Sequence, residues 1–434
     1  MKKLVCLLLV IVLFVSLLAG CNTQSNGDNN GEQNNGNENQ LDDNGGAVQS
    51  KWDGTVAASF ESGSGTEADP YKIATPSQLA YLAKQVNEGN SYEGSYFELT
   101  SNIDLNNISW TPIGDGTRAF KANFDGKGHT VLNLKITEVF SYFESYGDVS
   151  FNYGLTGLFA FCENAIIKNM NIDTAVVVLE NNKKYDGLYI GVLAGRLEVT
   201  SKSEISNIRI LDSSISLATS DTLSNVGTSG LCAGGLVGFV SVSENSQSVF
   251  DRVESNIAII TKDVYIKTNI NGGIIGLLNN YSIFECDRFA SYLMIRWSDY
   301  QVSNYAAAFG TITNDPSAIT KLSDGFSENS INKSLEPYYG YNFYNASAII
   351  CDARQVKNPD GTISGSFEFE NLFGCVKPID ETAGFTEPIC QLYNMPSNAV
   401  YTENNCQACD TLPQNHGFDE SVWDLSNLSA PKLK

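Results

Sequence analysis

Few residues in this sequence have the types and spacing that catalysis needs. Only two histidines are present, His129 and His416, so histidine-based acid–base or metal chemistry has little to work with. Paired carboxylates do acid–base work when one is held protonated beside an ionised partner. Asp104, in Asn-Ile-Asp-Leu, and Asp125, in an Asp-Gly turn, have a structural use instead, because Asp bonds nearby backbone and tolerates turn geometry. Asp251-Arg252 recurs as Asp287-Arg288; on neighbouring coils the two pairs would stack into an acid–base ladder, expected to be structural. His129, in Gly-His-Thr, is expected to pack. Cys406-Gln-Ala-Cys409 has redox or metal spacing but lacks a second cysteine pair and a βαβ setting, so a local disulfide or two free thiols is expected. There is no Gly-x-Ser-x-Gly elbow, zinc-ligand spacing, phosphate loop or nucleotide fingerprint. No catalytic residue, metal ligand or cofactor is assigned.

Aromatic residues are more suggestive. Phe140, Tyr142, Phe143, Tyr146, Phe151 and Tyr153 crowd an insertion at 137–153, beside Glu138, Glu144 and Asp148. Tyr338, Tyr339, Tyr341, Phe343 and Tyr344 follow Pro337, and Tyr292, Trp297, Tyr300 and Tyr305 make a third group. Rings with polar neighbours suit flat sugar faces and protein hot spots alike; the alternative is that they pack on themselves. Tyr142, Phe143, Tyr146, Tyr338, Tyr339 and Tyr341 are the candidate ligand-binding residues.

The formal net charge of −22 argues against nucleic acid and anionic lipid headgroups as partners, since both demand Lys/Arg patches. Lys2 and Lys3 precede an apolar run from Leu4 to Ala19, the build of a secretory signal peptide and short for a membrane span. Leu17-Leu-Ala-Gly-Cys21 resembles the lipobox of bacterial lipoproteins. That implies removal of residues 1–20 and a lipid on the Cys21 thiol, with the membrane as partner. Each buried CH₂ adds about 0.8 kcal/mol, so a multi-chain anchor is stable. The Asn/Gly-rich segment 21–50 has no Lys or Arg and almost nothing apolar, so it is expected to be a disordered tether. Its style suggests the surface of a Gram-positive cell. Of the remaining cysteines, Cys162, Cys232 and Cys286 are scattered, while Cys351, Cys375, Cys390, Cys406 and Cys409 gather near the end. Their pairing does not follow from sequence.

The clearest helix is Thr75–Gly89. Thr75 can cap it, Pro76 opens it, Gln78 completes a capping box, Leu79, Leu82, Ala83 and Val86 share a face, and Gly89 can end it. After Tyr96 the pattern turns to short strands broken by Gly, Asn, Asp and Ser. Gly191-Val-Leu-Ala-Gly195, Gly234-Gly-Leu-Val-Gly238 and Gly272-Gly-Ile-Ile-Gly276 match one another, with weaker copies at Gly157 and Ala306. Second strands also match: Ile167–Ile172 with Ile205–Ile210, and Asp251–Ser255 with Asp287–Ser291. No single unit could bury its own apolar side, whereas stacked units would share a continuous core, so an all-β solenoid is predicted, with the helix as its N-terminal cap. The alternative is a β-sandwich. Residues 51–95 read as the cap, 96–335 as coils with inserted loops, and 336–434 as a β-rich region and closing coil. Cys286 stands where Phe250 stands in the preceding unit, so a buried, reduced thiol is expected.

Trp52-Asp-Gly-Thr-Val-Ala, Gly63–Tyr71, Gln78-Leu-Ala-Tyr-Leu-Ala, Leu99–Leu105, Trp110–Gly114 and Phe124–Thr130 are similar to the opening of secreted bacterial proteins with GLUG repeats. The Gly-Leu-Val-Gly units resemble the repeat itself, and Gly417–Leu425 running to Leu433 resembles that family's closing coil. The resemblance covers most of 52–310 and 417–434. It implies a right-handed parallel β-helix of the pectin-lyase-like kind in surface or secreted, often adhesin-like, proteins. Some of these carry the repeat beside an immunoglobulin A protease domain, which is not recognisable in this chain. The first expectation for function is a lipid-anchored binding or adhesion module for glycan or a host/matrix protein. Alternatives are a carbohydrate-active enzyme, such as a polysaccharide lyase or glycoside hydrolase, and a structural envelope spacer. Carboxylates clustered with Arg or Lys in one groove would favour the enzyme, and aromatic loops presented together would favour the binder. Ligand, organism and oligomeric state are left open.

Overall fold

Alternation builds the strands. In Tyr96-Phe-Glu-Leu99, Phe97 and Leu99 point inward and Tyr96 and Glu98 outward, as a period of two requires. The structure, a computed structural model, describes residues 40–41, 47–48, 51–180, 185–218, 230–262, 269–297, 303–333, 343–346, 349–378, 400–404, 406–408, 413, 418–427 and 431–434. Cys21, the signal segment, Tyr338, Tyr339, Tyr341, His416, Cys390 and Cys409 lie outside the described residues, as do the side chains of Tyr146, Cys351 and Cys375. The account concerns the unit Gln40–Lys434.

In chain order the elements used below are β1 (Tyr71–Ile73), α1 (Pro76–Asn87), β2 (Tyr96–Leu99), β3 (Asn123–Asp125), β4 (Phe140–Tyr146), β5 (Val149–Thr156), β6 (Phe159–Glu163), β7 (Ile166–Asp173), β8 (Gly187–Gly191), β9 (Ala194–Val199) and β10 (Lys202–Ala218). They continue with β11 (Leu231–Gly234), β12 (Val237–Val242), β13 (Gln247–Lys262), β14 (Asn269–Asn280), β15 (Ile283–Trp297), β16 (Ser303–Asn314), β17 (Ile319–Lys333), β18 (Ile350–Gln355), β19 (Ser366–Pro378), β20 (Val400–Asn404), β21 (Trp423–Asp424) and β22 (Lys432–Leu433). The chain is nearly all β, with two large sheets. The first runs β20-β19-β17-β15-β13-β10-β7-β3-β2-β1, and the second contains β4, β5, β8, β11 and β14, continuing through β12, β9 and β6. Within them every pairing except β4–β5 is parallel. From β7 onward the chain alternates between the sheets, so each sequence repeat adds a strand to both.

Register carries the core. Phe97, Phe124, Ile167, Ile205, Phe250, Cys286, Leu322 and Phe369 pair successively across the first sheet, and all are buried. Cys286 occupies the expected apolar place and is a free, buried thiol. At another shared position Asn169, Asn207, Arg252, Arg288, Asp324 and Asn371 all take positive φ, near +50°, and bend their strands. A left-handed residue costs about 1–2 kcal/mol, least for Asn and Asp. Stacked side chains offset part of it: Asn207 Nδ2 donates to Asn169 Oδ1 at 2.9 Å, and Arg288 Nε donates to Asp251 Oδ1 at 2.7 Å. The Asp-Arg pairs thus form the ladder that their spacing suggested.

Helix α1 has its capping box. Thr75 Oγ1 accepts from the Gln78 backbone at 3.3 Å, and Gln78 Oε1 accepts from the Thr75 backbone at 3.2 Å. Its face of Leu79, Leu82 and Val86 joins the same core as Ile73 and Phe97. Among the described residues no helix is long and apolar enough to cross a membrane.

Inside the expected disordered tether, Gln40–Leu41 and Ala47–Val48 pair antiparallel; Leu41, Ala47 and Val48 are the tether's few apolar side chains. In the end segment read as a closing coil, β21 and β22 pair antiparallel, and among the described residues they stand apart from the two large sheets. That segment lays Phe418, Trp423 and Leu433 over Ala290, Phe326 and Phe373, outward-facing residues aligned across β15, β17 and β19 that need cover from water.

Candidate functional site

The outer face of the first sheet carries a groove of about 540 Å³. Alternation puts Tyr96 and Glu98 of β2, Asn123 and Asp125 of β3, Ile166 and Lys168 of β7 and Glu204 of β10 on this face. Lys72, Lys127 and the 67–70 turn, with Glu67 and Asp69, complete the lining. Lys127 Nζ stands 3.6 Å from Glu98 Oε2 and 3.9 Å from Asp125 Oδ2, and Lys72 Nζ is 3.9 Å from Glu98 Oε1. Such exposed pairs are worth about 0–1 kcal/mol each, so a ligand can rearrange them cheaply. Asp125 Oδ1 also accepts from the Lys127 backbone at 2.8 Å and from Asn169 Nδ2 at 3.0 Å, which fixes that carboxylate. The groove thus presents acceptors and donors together beside one tyrosine, a surface able to bond several hydroxyls. Among the described residues no three His, Cys, Asp or Glu side chains gather closely enough to hold a metal ion.

The sequence-predicted aromatics lie elsewhere. The 137–153 insertion is a hairpin, β4 paired antiparallel with β5 and turning at Gly147 with φ +61°. Its Tyr142 turns inward, with the Arg196 guanidinium 4.4 Å from its ring centroid and Phe161 at 5.8 Å; burial pushes its phenol up. Phe143 points out and is 66% exposed. Tyr292 donates to the Pro431 carbonyl and packs on Phe326. Asp104 Oδ1 accepts from the Asn106 backbone and Asn133 Nδ2, both at 2.8 Å. Burial lowers His129.

The groove residues Lys72, Tyr96, Glu98, Lys127, Lys168 and Glu204 were not singled out in the sequence. Asp125 was, but only as a turn former. The available signal was the alternation in Tyr96–Leu99 combined with the register of successive repeats.

No family model matches the chain, and no curated protein matches it. Among solved structures it is similar to the crystal structure of a Bacteroides ovatus protein named, provisionally, as an immunoglobulin A1 protease. The TM-score is 0.50 at 15% identity, covering 86% of this chain and 95% of that one. At that identity the likeness is one of fold alone.

Proposed function

We propose that this is a lipoprotein anchored through Cys21 outside the cytoplasm, whose body is a right-handed parallel β-helix of GLUG-type repeats and whose role is to bind glycan at the cell surface. The carrying observation is the groove over β2, β3, β7 and β10, whose lining combines Tyr96 with the carboxylates Glu98 and Asp125 and the ammonium groups of Lys127 and Lys168. Saccharide hydroxyls both donate and accept, so a mixed lining suits them better than a field of one sign. The exposed ring of Phe143 offers a second contact and is the part of the hairpin best placed for a host or matrix protein. Strand-to-strand repetition also supports the helix reading, since parallel strands of successive repeats stack about 4.8 Å apart.

A second reading, a carbohydrate-active enzyme, is favoured by the same groove because carboxylates and ammonium groups meet there. The test is a glycan and matrix-protein array with the purified protein, repeated with Tyr96→Ala and Glu98→Gln. Binding lost in both variants at unchanged thermal unfolding supports the proposal. Unchanged binding refutes the groove as the site, and turnover of a polysaccharide assigns the chain to the enzyme class.

A further inference from the structure

A guanidinium has five N–H donors and no acceptor, so burying one demands several partners. Arg196, on β9, is 2% exposed. Its Nη2 lies 3.1 Å from Glu198 Oε2 and 3.8 Å from Glu144 Oε1. Nε and Nη1 are buried without a hydrogen-bond partner. The rings of Tyr142 and Phe239 stand 4.4 Å and 4.9 Å away. Such cation–π contacts act on the face of the guanidinium and leave its in-plane N–H donors unsatisfied, and a buried polar group left in this state calls for an explanation.

Among the described residues two of the groups around Arg196 come from one edge element. Tyr142 and Glu144 both belong to β4, the outermost strand of its sheet. Residues 149–151 pair as strand only with β4 among the described residues, and the tip exposes Phe143 and Val149. The hairpin is thus held by β8 at its base and presents exposed side chains at its tip. At its base Tyr153 of β5 begins a row of stacked rings, Tyr153 on Tyr189 at 5.0 Å and 16°, then Tyr189 on Phe239 at 4.7 Å and 26°.

We propose that the β4–β5 hairpin is a lid over a second site, distinct from the groove, that takes a carboxylate-bearing sugar. The carboxylate and a neighbouring hydroxyl accept from Nη1 and Nε of Arg196, which the protein leaves unused. The sugar face lies on the aromatic row, as amphipathic rings favour. Glu144 is the stand-in: its carboxylate is already near the guanidinium, at a distance longer than a hydrogen bond, and leaves with the lid when a ligand carboxylate arrives.

The test is titration calorimetry of the whole protein with digalacturonate and sialyllactose, with methyl-esterified digalacturonate and acetate as controls. Hydrogen exchange of the 140–152 amides is followed in parallel. The free acids are expected to bind while the ester and acetate do not, and hairpin amides should exchange faster with ligand bound. Glu144→Gln removes the competing carboxylate and should tighten acid binding severalfold. Arg196→Lys keeps the charge but loses the planar donors and should weaken binding at least about tenfold. The proposal is overturned if neither acid binds wild type or Glu144→Gln, if ester or acetate binds as well as acid, or if Arg196→Lys folds and binds unchanged.

Discussion

Replacing Gly234 by Ala tests why the repeated Gly-x-x-x-Gly segment contains glycine at all. A Cβ there would stand 1.9 Å from the Val237 carbonyl oxygen and 2.6 Å from its carbon. The equivalent atoms at Gly191 and Gly272 would meet the carbonyl oxygens of Ala194 and Ile275 at 2.1 Å and 1.8 Å, so the clash belongs to the repeat. The obstacle is backbone, and Val237 is paired on both sides, with Ala194 and with Ile275. Overpacking costs about 1–3 kcal/mol. Relief here means breaking ladder hydrogen bonds worth about 1 kcal/mol each, so a total of about 3–4 kcal/mol is expected, a large part of the 5–15 kcal/mol typical of a folded domain. Gly361 is the control. It has φ +85° with nothing within 4 Å of an added Cβ, so Ala should cost only the left-handed penalty of about 1–2 kcal/mol. Urea unfolding followed by circular dichroism measures both variants. If Gly234→Ala proves no less stable than Gly361→Ala, the steric reasoning is wrong.

Three further outcomes are expected. Palmitate labelling of cells should mark the wild type and not Cys21→Ala; equal labelling would remove the lipoprotein proposal. Cys286 is buried and its thiol is pushed well above the ordinary range, so it should resist maleimide in the native protein and react fully in urea; modification under native conditions would contradict the register. Glu254 is buried beside Arg209 and β22, and desolvation raises its carboxyl against the opposing pull of Arg209 and Lys432. The folded protein therefore holds that proton more readily than the unfolded chain, so the stabilisation is present below the ordinary glutamate value and fades as pH rises through the folded one. Trp423 fluorescence should report weaker docking of the β21–β22 pair toward neutral pH, with a flatter profile in Glu254→Gln; identical profiles would refute the assignment.

Much of the scaffold was legible because its causes are local or repeat. Thr75, Pro76 and Gln78 specify the helix start within one turn of chain. Phe250 and Cys286, or Asp251 and Asp287, announce their equivalence by sitting at matching places in successive units, and parallel pairing then stacks them. The hairpin and the end were less legible. Aromatics at 137–153 looked like a displayed loop, but the position of Arg196, far along the chain, turns Tyr142 inward. At the end, Phe418, Trp423 and Leu433 pack over Phe326 and Phe373, outward residues whose alignment only the register of the long strands reveals.

By itself the sequence determined the periodicities: where strands alternate, where the helix begins, which positions are apolar in every repeat, and where glycines recur. These depend on steric and hydrophobic preferences expressed over a few residues. Only the tertiary structure decided which outward residues meet. Lys72, Glu98, Asp125, Lys168 and Glu204 come from five strands, and nothing in their spacing along the chain favours their association. They share a groove because hydrogen-bond register aligns the strands and the buried side chains hold that register, while the outward residues themselves contribute little energy to it.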